Sequence, residues 1–167
     1  MELNENKMQQ ALTTDTELVI DRIFNSHVTN VRQAWTEVES IQKWWGPKDY
    51  TCPHAFIDFR EGGKYLSCMR SPQGDEFWST GSYKEIIPYQ KIVCTDSFSD
   101  KDGNVIPASD LKMPGNWPSE LLVTVTFEEA KGKTIMKLRH QGLPPEILDD
   151  CKTGWEQSLD KLEENLS

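Results

Sequence analysis

Basic charge is scarce in this chain. Its 18 lysines and arginines face 27 aspartates and glutamates, leaving a net charge of −9 over 167 residues. A polyphosphate partner gains nothing from such a surface, so nucleic acid is not expected as a ligand. An anionic membrane surface is disfavoured for the same reason. No apolar run approaches the ~20 residues a membrane helix needs. The first fifteen residues show no apolar stretch behind basic residues, so they read as a flexible polar tail and not as a secretory signal. Histidines number only three, with no metal-ligand spacing between any pair, and neither a metal nor a cofactor is expected. The four cysteines, Cys52, Cys68, Cys94 and Cys151, form no C-x-x-C. They read as reduced thiols in the core or cavity wall of a cytoplasmic protein. G-x-S-x-G, G-x-G-x-x-G, a phosphate loop and a local Cys–His arrangement are all missing, so a nucleophilic or cofactor-dependent enzyme has no positive support.

What is present is a globular composition, 37% apolar and 27% charged, of one-domain length. The domain is placed at residues 16–167. Leu18 to Ser26 is β-branched and aromatic and reads as a strand. Thr29 or Asn30 then caps a helix whose Val31, Trp35 and Val38 share one face. A shorter helix, Ser40 to Trp44, takes Ser40 as its cap and stops at Gly46-Pro47. From residue 50 the texture turns to strands: 51–59, 64–70, 76–87 and 91–98, joined by short turns that argue for an antiparallel meander. In 51–59, Ala55, Ile57 and Phe59 lie on one face and Phe56 and Asp58 on the other, and the inward face is open. Residues 99–118 hold three prolines and two glycines in 20 positions, too long for a hairpin turn and suited to a lid. Two more strands follow, 120–128 and 134–141. Leu121, Val123, Val125 and Phe127 share a face of the first; Met136, Leu138 and His140 share a face of the second.

Pro144-Pro145 opens the last element. Leu148, Cys151, Trp155, Leu159, Leu162 and Leu166 make one apolar stripe at helical spacing. Its other faces are acidic: from residue 146 to 167 there are seven acids and two lysines. A strand, two small helices, a meander and one long helix make an α+β chain. Only that helix has enough apolar surface to cover one face of the sheet, and a curved sheet wrapped on one helix leaves room for a cavity.

Several segments together resemble the START-like (SRPBCC, helix-grip) superfamily, in particular the branch of the activator of the heat-shock-protein-ninety ATPase. They are Val31 to Pro47 with its Ala34-Trp35-Thr36 and Trp44-Trp45-Gly46-Pro47, Asp58 to Tyr65, Gly81 to Ile86, Leu121 to Phe127, and Gly154 to Leu162. The likeness runs from about residue 17 to 166, and it is the order and spacing of the motifs that is specific. It departs at His27-Val28, where the family often has Ala-Pro or Ala-Ser. The resemblance implies a seven-stranded antiparallel sheet gripping the C-terminal helix, with a solvent-accessible hydrophobic cavity between them. Members bind lipids, sterols and polyketides, a few are cyclases or hydroxylase components, and some act on the chaperone. Fold alone therefore bounds function loosely.

Aromatics make up 10% of the chain, six of them tryptophans. The cavity candidates among them are Trp35, Trp44, Trp45, Trp117 and Trp155, with Phe56, Tyr65 and Tyr83. Trp44 and Trp45 cannot both be buried, so one ring is expected in the core and the other at the cavity mouth. Trp117 is a candidate lid residue. Val123, Met136 and Leu138 are candidate wall, and His140 is the polar member of their face, fit to orient a ligand or to exchange a proton. Asp58 is a candidate for the polar end of the site. Three functions follow. The first is a cofactor-free module binding a small hydrophobic or aromatic molecule. The second is a cyclase- or hydrolase-type enzyme using Asp58, Tyr65 or His140, which requires two of them to converge on one point. The third is a chaperone ATPase co-regulator meeting its partner through the acidic helix or the 99–118 loop. A homodimer through a sheet edge or exposed tryptophans is compatible with all three.

Overall fold

The computed structural model describes residues 17–166. The tail expected over 1–15 lies outside the described residues. Seven strands, β1 (Glu17–Phe24), β2 (Ala55–Ile57), β3 (Lys64–Arg70), β4 (Glu76–Ile87), β5 (Lys91–Ser99), β6 (Leu121–Ala130) and β7 (Lys133–Gln141), form one sheet. Its order is β1-β7-β6-β5-β4-β3-β2, and every pair is antiparallel. Two short helices, α1 (Val28–Thr36) and α2 (Val38–Trp44), separate β1 from β2, and α3 (Leu148–Glu164) ends the fold. A curved antiparallel sheet on one long helix is the helix-grip fold, as the sequence pattern requires.

Alternation decides which face of the sheet meets α3. Leu121, Val123, Val125 and Phe127 of β6 are buried, as are Met136, Leu138 and His140 of β7. Leu159 and Leu162 of α3 are fully buried against this layer. Each such side chain contributes roughly 1.5–3 kcal/mol by leaving water. On the acidic side of α3, Arg22 of β1 reaches Asp160 at 2.7 Å, a pair exposed enough to contribute little.

Several boundaries differ from the sequence reading. β1 ends at Phe24, and α1 starts at Val28 with His27 as its cap and no side-chain capping bond. Asn30 instead donates to Ser26 Oγ. α2 begins at Val38 behind Glu37, so Ser40 is not its cap. The strand expected over 51–59 shrinks to three residues plus an isolated bridge from Thr51 to Arg70. Pro53 has no N–H to offer a ladder there. Pro145–Ile147 forms a 3-10 turn ahead of α3. The 99–118 segment is partly ordered: Ile106 donates to Phe98 O at 2.9 Å, and Ala108–Leu111 is a 3-10 turn. Asp100 organises its start by accepting from Asp102 and Asn104. Those Asn104 bonds hold the Asp100 carboxyl below its usual range.

Candidate functional site

The helix pair α1–α2 fills much of the space between sheet and α3. Trp44 is 1% exposed, and its indole N–H donates to Ala34 O at 2.9 Å. Its ring meets Trp35 edge-on at 4.8 Å, and Trp35 stacks on Trp155 at 6.1 Å. Trp35, Trp44, Tyr83, Val123, Met136 and Leu138 all belong to this packed core. None of the six lines the large cavity. Alternation places a residue on the inner face, but it does not say whether that face meets a void or another side chain.

The void lies at the other end of the helix–sheet interface. It is a cavity of about 560 Å³, within the size range of small-molecule sites. β5 gives it Asp96, Ser97 and Phe98; β7 gives His140; α3 gives Asp150, Cys151, Gly154, Trp155 and Ser158. Trp45, Gly46, Pro47 and Tyr50 supply the wall after α2, and Met113, Pro114 and Trp117 supply the wall from the long loop. Four expected residues therefore meet there: Trp45, Trp117, His140 and Trp155. Their rings are arranged in pairs. Trp45 meets Trp155 edge-on at 5.5 Å, and Phe98 meets Trp117 edge-on at 5.0 Å. Trp117 is also tied to its own loop, its N–H donating to Pro114 O.

The polar end of the cavity is a chain of contacts across three strands and α3. The Trp155 indole N–H donates to His140 Nδ1 at 3.0 Å. An indole only donates, so Nδ1 accepts and the ring's proton sits on Nε2. His140 is 6% exposed, and its Nε2 lies 3.2 Å from Asp96 Oδ2. That N–H is not aligned well enough to count as a hydrogen bond, so the contact is electrostatic and Nε2 has no hydrogen-bond partner. Asp96 Oδ1 lies 3.2 Å from the Tyr65 hydroxyl, which is also 2.9 Å from Thr95 O. One hydroxyl proton serves both acceptors. Burial, and next the Asp96 charge, push the Tyr65 hydroxyl well above its usual range. The Cys151 thiol is pushed up to about 11, by burial first and then by Asp96 and Asp150.

Asp58 and Phe56 stand elsewhere. Asp58 pairs with Arg60 at 2.9 Å on the surface, beside the Gly62-Gly63 turn. Phe56 is 59% exposed on the edge strand β2, while Ala55 and Ile57 point toward the core. A second recess there, touching Phe56 and Tyr65, is about 30 Å³, room for about one water. His54 stacks on Trp78, and His27 pairs with Glu129 at 2.8 Å. Among the described residues no group of three His, Cys, Asp or Glu is placed to hold a metal ion.

Asp96 was not singled out from sequence, yet the signal was there. Ile92, Cys94, Asp96 and Phe98 alternate along β5, and Asp96 is the polar member of that face, as His140 is of its own. What alternation does not give is register. Cys94 and His140 both lie opposite Val123 of β6, and that pairing brings the two polar members together.

The fold and the cavity at its helix–sheet seam define a helix-grip protein. The chain belongs to the Activator of Hsp90 ATPase homolog 1-like protein family, whose family model matches residues 26–167. Solved structures share the fold. A protein from Chromobacterium violaceum is 23% identical with a TM-score of 0.75, over 90% of this chain and 96% of that one. The AHSA1 protein from Silicibacter pomeroyi is 23% identical with a TM-score of 0.71, over 90% and 96%. A protein from Arthrobacter aurescens is 20% identical with a TM-score of 0.76, over 92% and 87%. No curated protein matches the sequence.

Proposed function

We propose that this protein binds a small hydrophobic or aromatic molecule in the cavity between β5, β7 and α3. The observation that carries this reading is the wall itself: two edge-to-face ring pairs, methionines and prolines around about 560 Å³, with His140 and Asp96 at one end. An apolar wall with a few placed polar groups is the usual composition of such a site. Of the three candidates for the cyclase or hydrolase alternative, two of which must converge, only His140 lines the cavity. Tyr65 reaches it through Asp96, and Asp58 faces away, so binding is favoured over catalysis.

The test is a titration with a neutral naphthyl alcohol, 2-naphthylmethanol, followed through the indole N–H signals in NMR. Saturable shifts confined to Trp45, Trp117 and Trp155, with Trp78 unmoved, are expected. Shifts spread over all six tryptophans, or none at saturation, would overturn the reading.

A further inference from the structure

The charged side chains that line the cavity are of one sign. Two carboxylates line it, Asp96 inside and Asp150 near its rim, and no lysine or arginine does. Asp96 has a side chain only 24% exposed. Among the described residues, no lysine or arginine pairs with it. Its neighbours are the Tyr65 hydroxyl, shared with Thr95 O, and the misaligned His140 Nε2–H. Trp155 occupies the far nitrogen of His140, so the imidazole faces Asp96 as a neutral donor and does not cancel its charge. A carboxylate in so apolar a place is short of compensating charge. The rings of Trp45, Trp155, Phe98 and Trp117 line the same space, and aromatic faces attract cations. Lys161 does not supply the missing charge: its ammonium is bound to the carbonyls of Pro47 and Tyr50, each at 3.1 Å.

We infer that the ligand is a hydrophobic cation, an apolar or aromatic body bearing one ammonium group that meets Asp96 while the rings hold the body. This rests on the binding reading above and narrows its ligand class. Acidic ligands such as fatty acids are excluded by the same charges. Trp45 Nε1–H and His140 Nε2–H are neutral donors, and neither carries the charge needed to hold an anion against two carboxylates.

Three probes of one shape separate the two claims: 2-naphthylmethylammonium, 2-naphthylmethanol and 2-naphthoate, titrated by calorimetry into the full chain at neutral pH and low salt. The cation is expected to bind about tenfold or more tighter than the alcohol, and the carboxylate more weakly than either. Asp96→Asn, nearly the same shape, should bring the cation to within about twofold of the alcohol, both measured on that variant. Saturable binding of the alcohol to the variant then reports an intact cavity. Asp150→Asn, on the exposed face of α3, should reduce the preference by a smaller factor and serves if Asp96→Asn does not fold. If the alcohol binds but the carboxylate binds as tightly as the ammonium, the charge inference fails and the binding reading survives. If none binds, both fall.

Discussion

Trp155 and His140, on α3 and β7, are joined by one hydrogen bond of 3.0 Å, and that bond sets which nitrogen of the imidazole faces Asp96. Helix and sheet are thus linked by a directional contact as well as by packing. Trp155→Phe keeps an aromatic ring facing Trp45 and Trp35 and removes the donor along with part of the ring volume. The buried Nδ1 is then unsatisfied, which costs about 1–3 kcal/mol. We expect a lower urea midpoint and a changed pair of His140 ring 15N shifts. An unchanged pair would show that Trp155 does not set the tautomer.

Gly81 sits opposite Tyr65 in the β3–β4 pairing. The Tyr65 ring lies over it on the way to Thr95 and Asp96. A Cβ at residue 81 would stand 1.9 Å from Thr95 O and 2.6 Å from Tyr65 Cε1. Both distances are impossible, and one of the atoms is backbone. Gly81→Ala should destabilise the protein by about 3 kcal/mol or more and shift the NMR signals of Asp96. A urea midpoint within error of the parent would refute this account of the glycine.

The pH dependence of stability follows from the buried acids. Burial pushes the Cys68 and Cys151 thiols up to about 11. Cys94, Tyr65 and Tyr83 are raised by burial as well. Each folded-state pKa lies above its unfolded value, near 8.5 for Cys and about 10 for Tyr. The stability these groups contribute is therefore whole below about pH 8 and is lost as pH rises through about 9 to 11. Lys161, lowered by burial, works in the opposite sense but is a single group. The melting temperature by circular dichroism should be nearly flat from pH 7 to 8 and fall steadily above pH 9. A melting temperature that rises across that window would contradict the assignment.

Much of the fold was legible in the chain. The stripe from Leu148 to Leu166 and the alternation along β6 and β7 follow from helical and strand periods, and they give the covering helix and the inward face without tertiary information. The helix starts were less legible, because His27 and Glu37 cap through position and backbone and not through a side-chain bond. The site was legible in part. His140 stood out as a polar residue on an apolar face, whereas Asp58, flanked by Arg60 and two glycines, went to a surface turn.

The sequence by itself determined the layers, the acidic balance and which side chains turn inward, because these depend on local period and composition. Only the tertiary structure decided which inward aromatics became core and which became wall. Trp44 and Trp45 are adjacent in the chain, yet one is sealed under α1 and the other borders the cavity. Whether an inward face is filled depends on the volume brought to it by distant segments, here α1, the 113–117 loop and the start of α3. Likewise Asp96 and His140 meet only because β6 pairs with both of their strands, a register that no local pattern encodes.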